Sequence, residues 1–211
     1  MPAQKEKLDL KEHIIEQADK LFHRYGIKSV TMDDIAKHLG MSKKTIYIHF
    51  SDKNELVHTL IKRSMDEQNC VMDQTYASSE NAVDEVFKAV TQVQEMLSNM
   101  NPMFLFDMQK YHPQAWLVFR DFREKKLYNV VKGNLERGVK EKLYRKEINQ
   151  EILTRMRLEQ IDMVFTHPFF RSNKYRVSQA MTEITEHFLY GICTLKGHRL
   201  INNYKQLTEE D

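Results

Sequence analysis

Breakers and crosslinking residues are scarce in this chain of 211 residues, which has only 2 Cys, 4 Pro and 6 Gly. Cys70 and Cys193 are too far apart in sequence to suggest a disulfide framework or a CxxC metal pattern, and both are expected as buried thiols in helices. So few Pro and Gly leave room for long helices and argue against a turn-rich β fold. No run approaches the roughly 18 apolar residues that a membrane span requires. The opening MPAQKEKLDLKEH lacks the apolar stretch of a signal peptide. The expected compartment is therefore the cytoplasm, with no membrane partner. A Gly-rich phosphate loop, GxSxG, HExxH and any Cys/His nucleophile or metal pair are also missing, and the 9 His are scattered. An enzyme is not expected, nor is a metal or a cofactor. Nor is there a large excess of one charge: 32 basic against 30 acidic residues give +2, too mild to imply nucleic acid by itself.

Hydrophobic residues at 41% and charged residues at 29% describe a globular chain. The apolar periodicity is helical throughout, so the fold class is all-α. A first helix is expected from Leu10 to about Tyr25, with Ile14, Ala18, Leu21, Phe22 and Tyr25 on one face and Gly26 at its end. Thr31 caps a short second helix whose inward positions are Ile35, Ala36 and Leu39, and Gly40 ends it. Ser42 caps a third helix to about Phe50. Asp52 caps a fourth, with Leu56, Leu60, Ile61 and Met65 on one face, which continues past Cys70 as a connector.

Residues 76–81 are small and polar and mark a break. Further helices are expected at 82–100, from Pro102 to about Tyr111, from Pro113 to about Arg137 with Gly138 near its end, at 149–167 and at 177–196. This divides the chain into a small N-terminal helical domain at 1–52, a connector helix at about 53–75 and a larger helical domain at 76–211.

The function is concentrated in TMDDIAKHLGMSKKTIYIHF, from Thr31 to Phe50. Two short helices flank a glycine that permits a sharp turn, Ala36 allows close approach, and Ile35, Leu39, Met41 and Ile46 are spaced as a small core. From Lys37 through Ser51 there is no acid, but there are Lys37, His38, Lys43, Lys44 and His49. A helix that enters the major groove passes between walls of phosphate, where carboxylates would be repelled. The pattern is a helix-turn-helix. A helical protein-interaction module without DNA binding is the alternative, and the basic run argues against it.

The run from Thr31 to Leu56, with Tyr47, Phe50, Lys53 and Leu56 at their offsets, resembles the TetR (tetracycline-repressor-like) transcriptional regulators. Lys44 departs from the family pattern, which usually has a small residue there. The resemblance implies an N-terminal helix-turn-helix domain joined to a C-terminal helical domain for ligand binding and dimerisation. It implies a homodimeric repressor that a small-molecule effector releases from a double-stranded DNA operator.

It also implies that Thr31 bonds a phosphate through its hydroxyl or amide and that Ser42, Lys43, Lys44 and Thr45 meet the groove. Tyr47 would place its hydroxyl on a phosphate, His49 would reach a phosphate or cover the core, and Lys53 would pair with the DNA backbone. Phe50 and Leu56 are assigned to packing. Surplus apolar residues suit a dimer interface on the last two long helices: Ile152, Met156, Ile161 and Phe165 on one, Ile184, Phe188, Ile192 and Leu195 on the other. Soft and aromatic residues make Phe104, Met108, Tyr111, Trp116, Phe119, Phe122, Met156 and Phe165 candidates for an effector pocket.

Overall fold

The computed structural model describes residues 2–98, 100–101, 103–171 and 176–206. The chain is all-α, as expected. The one β-bridge outside named strands among the described residues is antiparallel and joins Tyr144 to Cys193. Packing divides the chain into two compact units: residues 1–67 with 99–121, and residues 68–98 with 122–211. The expected division had no returning segment, whereas residues 99–121 rejoin the N-terminal helices.

The first unit opens with α1 (Pro2–Tyr25), which starts earlier than the expected Leu10. No breaker follows Pro2, and Gln, Glu, Lys and Leu are good helix formers. Then come α2 (Met32–His38), α3 (Lys43–His49) and α4 (Lys53–Ser78), the last contributing its first part, through Glu67, to this unit. The unit also contains α6 (Phe104–Tyr111) and most of α7 (Pro113–Phe122). Pro102, the expected start of α6, lies outside the described residues. Ile14, Ala18, Phe22, Ile35, Ile46, Phe50, Leu56, Phe104 and Met108 share one core. Tyr25 does not complete the α1 apolar face, because it is 50% exposed.

The second unit holds the rest of α4 and α5 (Ala82–Leu97), capped by Asn81, whose side chain accepts from the Val83 and Asp84 amides at 3.0 Å. The helix expected from Pro113 to Arg137 is interrupted: α7 passes through a π-helical turn at Arg123–Leu127 into α8 (Tyr128–Lys140). Arg123 in that turn meets Glu159 and Asp162 of α9 (Gln150–Thr166) at 2.7 and 2.6 Å. After the short α10 (Pro168–Arg171), α11 (Val177–Ile192) stops before Cys193, and α12 (Leu195–Lys205) follows. The single helix expected to Lys196 is therefore two. Cys193 is extended, and its neighbours bond across to the segment after α8: Arg145 N–H to Ile192 O at 2.9 Å, Thr194 N–H to Leu143 O at 2.8 Å. The two-buried-thiol expectation holds for Cys193 only. Cys70 is exposed on α4, while burial pushes the Cys193 thiol up to about 12.

Candidate nucleic-acid interface

The local sequence fixes the geometry of α2, the turn and α3. Thr31 and Asp34 form a capping box: the Thr31 amide donates to the Asp34 carboxylate at 2.8 Å and the Asp34 amide to the Thr31 hydroxyl oxygen at 3.2 Å. The Thr31 hydroxyl also donates to that carboxylate, at 2.6 Å. These bonds hold the Asp34 carboxyl below its ordinary range. At the other end of α2, Gly40 has φ +64°. Its amide donates to Lys37 O at 3.1 Å and the Met41 amide to Ala36 O at 2.9 Å, the pair of bonds of a Schellman cap. Ser42 then caps α3, accepting from the Thr45 amide at 3.1 Å, with the two hydroxyls 2.8 Å apart.

Ile46 is fully buried and sets the rotation of α3. At about 100° per residue, Lys44 and Ile48 lie about 160° to either side of it, on the outermost arc, and Thr45 and Tyr47 flank that arc. Exposure agrees: Lys44 is exposed, Tyr47 is 48% exposed and Ile48 is 60% exposed. The outer arc thus carries a cation, a phenol and a branched apolar side chain, with no carboxylate. Ile48 was not among the sequence candidates. Its place two residues after the buried Ile46 was the available signal.

The other predicted residues are placed less simply. Lys43 forms an ion pair with Asp33 of α2, which holds its ammonium pKa above the usual range. The Thr31 amide and hydroxyl proton, assigned by sequence to a phosphate, are both engaged by Asp34. His49 is partly buried. Lys53 points back into its own unit: its ammonium donates to the Ile27 carbonyl at 2.6 Å and lies 5.8 Å from the Phe22 ring centroid. Burial lowers its pKa, and Asp107 and Asp34 oppose that shift. Asp52 caps α4 as expected, accepting from the Glu55 amide at 2.8 Å.

The eight effector-pocket candidates do not form one group. Phe104 and Met108 are buried in the first unit's core, and Trp116 and Phe119 stack on each other and pack against it. Tyr111, in the same unit, has the Lys28 ammonium 5.0 Å over its ring. Phe122, Met156 and Phe165 fall in the second unit, where Met156 is exposed and Phe165 joins a small apolar cluster. Among the described residues no group of His, Cys, Asp and Glu could hold a metal ion, and no helix is long and apolar enough to cross a membrane.

A small helical unit that presents a carboxylate-free helix after a glycine turn, followed by a second helical unit, defines a helix-turn-helix transcriptional regulator. Residues 14–60 match the family model of bacterial regulatory proteins of the tetR family. It is 24% identical over 182 residues, 86% of its length and 94% of the relative's, to an HTH-type transcriptional regulator of Bacillus subtilis, YvaF. Its fold is similar to that of a transcriptional regulator from Saccharomonospora viridis solved in complex with choline (TM-score 0.72, 18% identity, 88% of this chain and 98% of that one). It is similar too to FadR of Bacillus subtilis in complex with stearoyl-CoA (TM-score 0.66, 19% identity, 85% and 97%).

Proposed function

We propose that the chain acts as a homodimeric, cytoplasmic repressor that reads its operator through the outer arc of α3 and leaves it when a small-molecule effector binds the second unit. It acts by binding rather than by catalysis. The observation that carries the reading is the composition of that arc and its flanks: Lys44 for base edges, Ile48 for a thymine methyl, and Ser42, Thr45 and Tyr47 for phosphate oxygens. Two such helices in a two-fold dimer meet half-sites about 34 Å apart.

Of the apolar residues assigned to a dimer interface, Phe188 and Ile192 are used up in the second unit's main core. Ile161, Phe165 and Ile184 pack on a smaller cluster. Ile152, Met156 and Leu195 remain exposed, as does Met163. Ile152, Met156 and Met163 fall within about 40° on α9, so the proposed dimer face centres there. The effector part of the proposal draws on the two relatives solved with choline and with stearoyl-CoA. A ligand that binds better to a dimer whose heads are wrongly spaced lowers DNA affinity by linkage.

Gel shifts with DNA flanking the gene test the reading. Lys44→Ala and Ile48→Ala are each expected to weaken specific binding by about 1–3 kcal/mol while non-specific duplex binding changes by less than about twofold. Equal losses on specific and random DNA would move the reading surface elsewhere. Lys53→Ala separates two roles for that residue. Its bond to Ile27 O makes the expected result a lower unfolding midpoint with an unchanged salt slope. A slope smaller by about 1 with unchanged stability would instead identify a phosphate contact.

A further inference from the structure

The second unit buries a cation that no described carboxylate neutralises. Arg157 of α9 is 8% exposed. Its Nη2 donates to the Thr185 hydroxyl of α11 at 2.5 Å, and the guanidinium lies 5.3 Å from the Phe188 ring centroid. Its Nη1 is buried with no hydrogen-bond partner. One turn along α9, Gln160 Oε1 is likewise buried and unpartnered. Two other arginines of this unit are treated differently. Arg137 meets Glu85 and Glu141, and Arg123 meets Glu159 and Asp162. At Arg157 desolvation is the one influence on the pKa, which falls to about 10, so the group stays charged at neutral pH.

A buried guanidinium with a free donor is unfavourable, and its planar fork is shaped for a carboxylate. We infer that Arg157 is the anchor for the carboxylate of an amphipathic monocarboxylic acid, held by Nη1 between α9 and α11 with its apolar body against Phe188 and the neighbouring apolar cluster. This rests on the proposed effector response and names the ligand class. Thr185 already occupies Nη2, so the one unpartnered donor at Nη1 suits a small head group rather than a polyphosphate. One to two turns beyond Arg157 and Thr185, Ile161, Val164 and Met181 supply apolar surface. Gln160 Oε1 can accept from a hydroxyl on the acid or from a bridging water.

Thermal denaturation and calorimetry of the full chain test this with sodium decanoate below its micellar concentration, benzoate, and two probes with the decanoate chain length, decanol and decyltrimethylammonium. Decanoate or benzoate is expected to raise the midpoint by several degrees, and the neutral and cationic probes to do so much less. Arg157→Gln and Arg157→Met should weaken acid binding at least about tenfold, as for loss of a charged hydrogen-bonded pair. Ligand-free Arg157→Met should be at least as stable as the parent, because a buried charge without a partner is removed. A less stable Arg157→Met would place the missing acceptor inside the protein and overturn the inference. So would acid binding that survives Arg157→Gln, or the absence of any shift with both acids. DNA release is scored separately. Acid binding without release keeps the inference and sinks the effector reading, whereas release by a neutral ligand regardless of Arg157 keeps that reading and sinks the inference.

Discussion

Gly138→Ala is expected to destabilise the second unit by about 3 kcal/mol, seen as a fall of about 1 M or more in the urea midpoint. A Cβ at Gly138 would lie 2.1 Å from Tyr144 Cδ2 and 2.3 Å from Cε2, distances no real contact reaches. The ring cannot step aside cheaply, because Tyr144 is 1% exposed and its hydroxyl sits 3.1 Å from Ala82 O and 3.0 Å from Asn134 Oδ1. The Leu143 and Tyr144 amides also donate to Gly138 O, at 2.9 and 3.0 Å, so the backbone that carries the ring is tied to the same glycine. Overpacking of this kind costs about 1–3 kcal/mol, and each lost hydrogen bond adds about 1. The better helix propensity of alanine returns at most about 1 kcal/mol. A double-mutant cycle with Tyr144→Ala should show strong coupling, since removing the ring makes room for the methyl. Gly138→Ala with the parent's midpoint would mean that Tyr144 does not pack on α8.

Where structure depends on neighbours in the chain, the sequence was readable. Thr31, Gly40 and Ser42 place the ends of α2 and α3 because caps and turns are satisfied within a few residues. The buried set Ile35, Ala36, Ile46 and Phe50 followed from the same register. Where structure depends on distant pairing, the sequence was opaque. The apolar stripe of α11 gives no hint that Cys193 turns extended, because its neighbours pair with the segment after Lys140. Thr194, which accepts from the Gly197 amide, was the visible trace of a new helix start. Phe104 and Met108 look like pocket residues by type, yet α6 returns to the first unit and packs them in its core. Lys53 looked like a phosphate ligand, but the carbonyl that holds it belongs to a turn 26 residues earlier. Ile48 had no role assigned from the sequence, although the fully buried Ile46 two residues before it puts it outward.

Asp107 should give the largest loss in the first unit. It is 4% exposed on α6, and its Oδ2 accepts the Lys28 amide at 2.8 Å. The same oxygen would be 3.2 Å from a Cβ at Gly26, whose φ of +83° closes α1. Lys53 holds the Ile27 carbonyl between those two residues. One carboxylate and one ammonium therefore clamp the turn that delivers the chain to Thr31 and sets where α2 begins. Asp107→Ala leaves the Lys28 amide without its acceptor and leaves Lys53 with less opposing charge. A lost charged hydrogen bond and a stranded buried donor together put the expected cost at about 3 kcal/mol. Asp107→Asn keeps an acceptor at that position and should cost about half as much. Specific DNA affinity should fall with both, more for alanine, because α3 is positioned through α2. The decisive measurement is a cycle with Lys53→Met. If the two groups act as one clamp, the double variant is less destabilised than the sum of the singles by about 1 kcal/mol or more. Simple additivity would mean that the turn is held by the Lys28 bond alone and that Lys53 serves another purpose, the DNA backbone being the first to test.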